Sequence, residues 1–163
     1  MPSRTTPLPI DSPERRRMPI LLRRAWYGLN QAFRRRVAHL QLTPDQFTAM
    51  RTLLEGDENG MVQSELVSQM SSDPNTVAAL LDRMEENGLV RRRKHETDRR
   101  ANRIQTTAQG RKKYEAARKI AVELQASVLS VLPVGAREEF LGRLAEVADA
   151  CQAAAELSPR KRN

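Results

Sequence analysis

Two short helical patterns, Gln63 to Met70 and Pro74 to Asn87, are separated by only Ser71, Ser72 and Asp73, and this spacing constrains the fold more than any other feature. So short a connection makes the helices cross steeply, as in a helix-turn-helix. The second helix is punctuated at both ends. Asp73 can accept hydrogen bonds from its free N–H groups, Pro74 suits a first position whose N–H needs no partner, and Gly88 can take the left-handed position just beyond its end. Val77, Leu80, Leu81 and Met84 recur at i, i+3, i+4 and i+7 and predict one stripe facing a core. Asn75, Ala79, Asp82, Arg83 and Glu86 face the other way, with Thr76 at the flank. Any amphipathic surface helix has such a polar face, so its meaning depends on the segment next to it.

That segment is RRRKHETDRRANRIQTT, in which Arg91 to Arg103 carries seven basic residues against two acidic ones, a surplus of five in a chain whose net charge is +8. A solvated surface usually mixes signs, so this concentration suggests a footprint for phosphates. Leu89 to Lys94 and Asn102 to Thr106 are strand candidates, with the charged stretch His95 to Ala101 as the tip of a hairpin. No Asn-Gly or Asp-Gly pair joins them, so the loop must be a longer one. Met61 and Val62 are candidates for a short third strand.

Charge and composition bound the partners. A net +8 favours an acidic one, either nucleic acid or an anionic membrane surface. No apolar run approaches the length of a membrane span, and Arg15 to Arg17 lead into no uninterrupted apolar stretch of the kind a secretory signal needs. The expectation is a cytoplasmic protein without membrane association. The single cysteine, Cys151, excludes an intrachain disulfide and a cysteine-rich zinc finger. His39 and His95 stand far apart without ligand-like spacing, so neither metal nor cofactor is expected. No phosphate loop, nucleophile elbow or catalytic triad can be assembled, and nothing supports an enzyme.

Along the chain, residues 1–12 are proline-rich without periodicity and are expected to form a disordered arm. A helix can begin at Ser12 and Pro13, but Pro19 would kink or break it, leaving the continuous part to start there. Leu22, Trp26, Leu29, Phe33, Val37 and Leu40 mark its apolar stripe. Arg23, Arg24 and Arg34 to Arg36 lie mostly off that stripe. Thr43 and Gln46 form a capping box opening a helix to about Glu55, with Phe47, Met50, Leu53 and Leu54 inward. GDENG, residues 56–60, is a turn. Thr107 can cap a helix whose Tyr114, Ala117, Ala121, Leu124, Val128 and Val131 alternate steps of three and four, and Pro133 stops it. The last helix, roughly Gly135 to Glu156, repeats the spacing in Phe140, Leu144, Val147, Cys151 and Ala154. Apolar seams at both ends of the chain imply helices that pack on each other and on a second subunit. Residues 157–163, with Arg160, Lys161 and Arg162, read as a flexible solvated tail.

Taken in order, LLRRAWYGLNQAFRRRV, LTPDQFTAMRTLLE, VQSELVSQM, DPNTVAALLDRMEENGLVRR and DRRANRIQTTAQG resemble the MarR-type winged-helix transcriptional regulators over most of the chain. The family's Asp-x-Arg wing signature falls on Asp98, Arg99 and Arg100. The resemblance implies a mainly α (α+β) fold: a winged helix over about residues 43–107, within a single domain of residues 13–156, and dimerisation helices over about 13–41 and 107–156. It further implies a homodimeric regulator of double-stranded DNA, of the repressor kind, released by a small effector such as an aromatic acid or phenol. Arg23, Trp26, Tyr27, Phe33 and His39 are the candidates to line the effector's pocket. A redox mechanism would fall to Cys151, but that residue sits at a packed helical position, where cysteines tend to be inert, and far from the first helix, which carries the reactive cysteine of oxidation-sensing members.

In the implied docking the Pro74 to Asn87 helix enters the major groove and the wing lies over the adjacent minor groove, on a pseudo-palindrome with half-sites roughly ten base pairs apart. Asn75, Thr76 and Arg83 are then the candidate base or phosphate readers, Gln63 and Ser64 reach phosphate, and Arg91, Arg92, Lys94 and Arg99 join them from the wing. Arg100 is placed in the minor groove, oriented by a charge-assisted hydrogen bond to Asp98. Two positions depart from the family pattern: Ala79 stands where many relatives carry a polar side chain, and Val62 replaces a capping hydroxyl. The alternatives are an effector-independent architectural DNA binder that reads only shape and charge, and a winged helix turned to protein partners, against which the basic wing argues.

Overall fold

The computed structural model describes residues 9, 12–13, 16–94 and 102–157. In chain order come α1 Met18–Val37, α2 Pro44–Glu55, β1 Met61–Val62, α3 Gln63–Gln69, α4 Pro74–Glu86, β2 Val90–Lys94, β3 Asn102–Thr106, α5 Ala108–Leu129 and α6 Arg137–Leu157. Most of the expected arm, the ribbon tip with Asp98, Arg99 and Arg100, and the tail from residue 158 lie outside the described residues. Leu157, assigned to that tail from sequence, is the last residue of α6.

The first helix starts later than the Ser12 cap suggests. Arg17 is its N-cap and makes no side-chain capping bond, and Pro19 lies in the first turn, where a missing N–H costs nothing. It also ends earlier than the apolar stripe, because Ala38–Leu40 tightens into a 3-10 turn closed by Gln41 at φ 53°. The capping box of α2 forms in full: Gln46 N–H donates to the Thr43 hydroxyl at 3.2 Å, and Thr43 N–H donates to Gln46 Oε1 at 3.1 Å. α6 begins two residues after Gly135, behind a 3-10 turn over Val134–Ala136 that comes directly after Pro133.

The contacts divide the chain after Ala121. In the first unit β1, β3 and β2 form one antiparallel sheet in that order, with Met61 opposite Ile104 and Arg92 also opposite Ile104 on the other side. Its core joins Phe33 and Val37 of α1, Phe47, Met50 and Leu53 of α2, Leu66 of α3, the α4 stripe, Leu89, Val90, Ile104 and Tyr114. With few aromatics, the packing relies on aliphatic side chains around one aromatic row: Phe33 lies 4.9 Å from Phe47 between ring centroids, and Phe47 lies 5.2 Å from Tyr114.

Apolar surface remains uncovered in both units. On α1 Trp26 is 65% exposed, with Ile20, Leu21, Tyr27 and Leu29 also open. In the second unit Val128, Val131, Phe140, Leu144 and Val147 are exposed, and so is Cys151, so the single chain does not cover the helical seam on which this cysteine lies. Among the described residues no single helix is long and apolar enough to cross a membrane.

The junction between sheet and α5 is unusually close. Thr107 donates its hydroxyl to Gly88 O at 2.6 Å and accepts from Gly110 N–H at 3.0 Å, so one side chain ties the end of α4 to the start of α5. At Gly110 an added Cβ would sit 2.1 Å from the Leu89 carbonyl oxygen. Alanine favours a helix over glycine by roughly 1 kcal/mol, yet overpacking against backbone costs about 1–3 kcal/mol and cannot be relieved by a rotamer change. Gly110→Ala is therefore expected to lower stability in chemical denaturation despite its better helix propensity, and an increase would show that this junction yields.

Candidate nucleic-acid interface

The helix-turn-helix is built by α3 and α4. Ser71 occupies the left-handed region at φ 49° and turns the chain between them, and Ser72 N–H donates back to Val67 O at 3.2 Å. Asp73 caps α4 as the sequence predicts, one carboxylate oxygen accepting from Asn75 N–H at 2.9 Å and Thr76 N–H at 3.0 Å. The Thr76 hydroxyl donates to the other oxygen. α3 lacks such a cap, since its N-cap is Val62 and makes no side-chain bond. Gly88, at φ 67°, takes the position past the end of α4 that favours glycine.

With Val77, Leu80, Leu81 and Met84 buried, the outer face of α4 is fixed. Asn75, Thr76, Ala79, Asp82, Arg83 and Glu86 lie away from that stripe, and Asn75, Thr76, Asp82, Arg83 and Glu86 are exposed. The Arg83 Nε donates to Ala79 O at 3.1 Å, so its guanidinium lies along its own helix. Ser64 is exposed and Gln63 half-buried at the start of α3.

The ribbon separates its cations by face. Residues paired across the ladder share a side, so Arg91, Arg93, Arg103 and Gln105 line one face, while Val90, Arg92, Ile104 and Thr106 share the other. Arg91 and Lys94 are exposed, with Arg91 Nε donating to Gln105 Oε1 at 3.3 Å. Gln105 in turn donates to Glu58 O at 3.0 Å, and Arg103 donates to Gly60 O at 2.7 Å, which latches β3 to the turn over residues 56–60.

Arg92, a candidate for DNA contact, is paired within the chain. Its Nη2 donates to Asp82 Oδ1 at 2.5 Å and its Nη1 to Glu85 Oε2, while its backbone N–H donates to Glu85 Oε1 at 3.0 Å. The side chain is 25% exposed. Burial works against its charge, but hydrogen bonds and Coulombic attraction from both carboxylates outweigh burial and raise its pKa above the ordinary value. In the folded chain the charge of Arg92 is thus engaged by α4. The alternation of strand residues carries the signal, because Arg92 shares a face with buried Val90.

Residues 42–101 match the MarR family. Transcriptional regulator HosA of Escherichia coli is 34% identical over 131 residues, spanning 76% of this chain and 85% of its own length. The chain belongs to the MarR family of transcriptional regulators. Its fold superposes on that of the transcriptional repressor CouR bound to a 23-mer DNA duplex, at 29% identity and a TM-score of 0.74, over 80% of this chain and 92% of CouR. CouR bound to p-coumaroyl-CoA matches at 26% identity and a TM-score of 0.69, over 80% and 91% of the two chains.

For a MarR protein the five residues expected to line an effector pocket are unevenly placed. Arg23, Trp26 and Tyr27 are neighbours on the exposed surface of α1, and His39 is exposed in the 3-10 turn beyond it. Phe33 is a core residue, buried against Phe47.

The cap of α4 carries a pH dependence. The hydrogen bond from the Thr76 hydroxyl, followed by that from Thr76 N–H, holds the Asp73 carboxyl below its ordinary value of 3.8, against an opposing effect of burial. A lowered folded pKa means the contribution is present above the unfolded value and is lost as pH falls through the folded one. Asp73→Asn keeps a capping oxygen without a titration. Thermal melts from neutral pH down to about pH 2 should show the wild type losing stability relative to Asp73→Asn in the acid range; parallel curves would remove Asp73 from the acid response.

Proposed function

We propose that this MarR protein is a homodimeric repressor that reads a pseudo-palindromic site in double-stranded DNA and is released by a small-molecule effector. The observation that carries the reading is the outer face of α4. Asn75, Thr76 and Arg83 stand exposed on a helix whose opposite stripe is fully buried, beside a ribbon that adds the exposed cations Arg91, Arg93 and Lys94. A helix of this kind fits the major groove, where base edges carry a distinct donor and acceptor pattern, while cations on the flanking ribbon neutralise phosphates. The Thr76 hydroxyl donates its hydrogen bond to Asp73, which leaves its oxygen free to accept.

The repressor and DNA parts of the reading are supported by CouR, a repressor whose structure was determined on a duplex. The effector part is supported by CouR with p-coumaroyl-CoA, and by the exposed Trp26 and Tyr27 on α1. The dimer is supported by the exposed apolar side chains on α1, α5 and α6, among them Trp26, Val128, Phe140 and Leu144. Gln63 and Ser64 are assigned to phosphate. Asp98, Arg99 and Arg100, outside the described residues, are assigned to DNA binding, with Arg100 in the minor groove.

Reading by base contacts differs in kind from binding by charge and shape. Asn75→Ala and Arg83→Ala should each cost roughly 1–3 kcal/mol on a duplex selected from random DNA, if that residue meets a base edge, and much less on scrambled DNA. Binding isotherms on both duplexes measure this. Equal losses on the two would favour an architectural, effector-independent DNA binder.

A further inference from the structure

Arg92 joins two parts of the DNA-binding unit that the chain connects only through residues 87–89. It stands on β2, on the ribbon face shared with Val90 and Ile104. Its guanidinium spans Asp82 and Glu85, one turn apart on α4, and its backbone N–H takes the remaining Glu85 oxygen. The three bonds fix both the distance and the rotation of the ribbon base relative to α4. They also rely on the planar fork of arginine, since lysine offers one compact charge and cannot hold two carboxylates in the same way. The carboxylates matter as much as the brace. Asp82 and Glu85 lie on the helix that carries Arg83 outward, and without Arg92 they would present two unneutralised negative charges beside a surface that has to approach phosphates.

Resting on the DNA-binding reading, we propose that Arg92 is a positioning residue for recognition: it holds the ribbon base at a fixed angle to α4 and offsets one of the two negative charges of Asp82 and Glu85, without itself touching DNA. The ribbon and the reading helix then move as one body, so any change in wing angle carries α4 with it.

The test compares wild type, Arg92→Lys, Arg92→Ala, the double variant Asp82→Asn/Glu85→Gln, and the triple variant that adds Arg92→Ala to it. Each is titrated with a duplex that the wild-type protein enriches from a random pool and with a scrambled duplex of the same composition, at several salt concentrations, and each is melted. Arg92→Ala should lose at least about threefold more affinity for the enriched duplex than for the scrambled one, as expected for coupled neighbours. Arg92→Lys should resemble Arg92→Ala, and it carries the comparison if the alanine variant does not fold. Adding Arg92→Ala to the double variant should change either affinity by less than about twofold, because the partners of Arg92 are already gone.

A phosphate contact would behave differently. Lysine would then substitute well, Arg92→Ala would cost the same with or without its carboxylate partners, and the salt slope would fall by about one. That result would overturn the proposal. So would a lowered melting temperature with an unchanged ratio of enriched to scrambled affinity, which is the mark of a brace with no part in recognition. Failure of the wild type to enrich any duplex is a separate outcome, and it would overturn the DNA-binding reading together with this inference.

Discussion

Burial of the Val77, Leu80, Leu81 and Met84 stripe decides what the rest of the DNA-binding unit presents. Each such side chain contributes about 1.5–3 kcal/mol when fully buried, more than a typical hydrogen bond made by the polar face. Rotating α4 by one residue, about 100°, would forfeit most of that and turn Asn75 and Arg83 toward the core. The helix is therefore set by its apolar side, and its polar side is left with no structural duty except at its ends and where Asp82 and Glu85 meet Arg92. Asp73 at the start and the Thr107 hydroxyl on Gly88 O past the finish hold those ends, and Gly110 lets α5 approach the Leu89 carbonyl closely enough for that closure.

The cations of the ribbon divide according to the same logic. Arg92 faces inward with Val90 and Ile104 and is neutralised by Asp82 and Glu85. Arg103 donates to the Gly60 carbonyl and secures β3 to the turn before β1. Arg91, Arg93 and Lys94 remain exposed. A basic surplus counted along the sequence thus overstates the charge offered to a partner, because two of its members hold the wing in place. The acidic residues near α4 are likewise less repulsive than they look, since Arg92 engages two of them at once.

Much of this was legible in the sequence. The caps at Thr43, Asp73 and Thr107, the apolar stripe of α4 and the strand pair closed by Asn102–Thr106 depend on local rules that need only neighbouring residues. The illegible parts depend on contacts far apart in the chain. The packing of Phe33 4.9 Å from Phe47 joins two helices and cannot be read from either stretch alone. Cys151 fits a packed seam, yet the single chain leaves it exposed, because a heptad pattern specifies an apolar face without specifying which surface covers it. Arg92 was the residue most open to prediction, given the period-two alternation of a strand that begins with a buried valine. The start of α1 was decided by Pro19 over the competing signals at Ser12 and Pro13.

In the proposed complex two copies of this chain present paired reading helices to one symmetric site. Hydroxyl-radical footprinting of the wild-type protein on its enriched duplex tests it most directly. Expected is protection with two-fold symmetry, in two half-sites whose centres lie roughly ten base pairs apart, with further protection in the minor groove beside each from the ribbon. A single unpaired footprint, or protection spread evenly along the duplex, would contradict it.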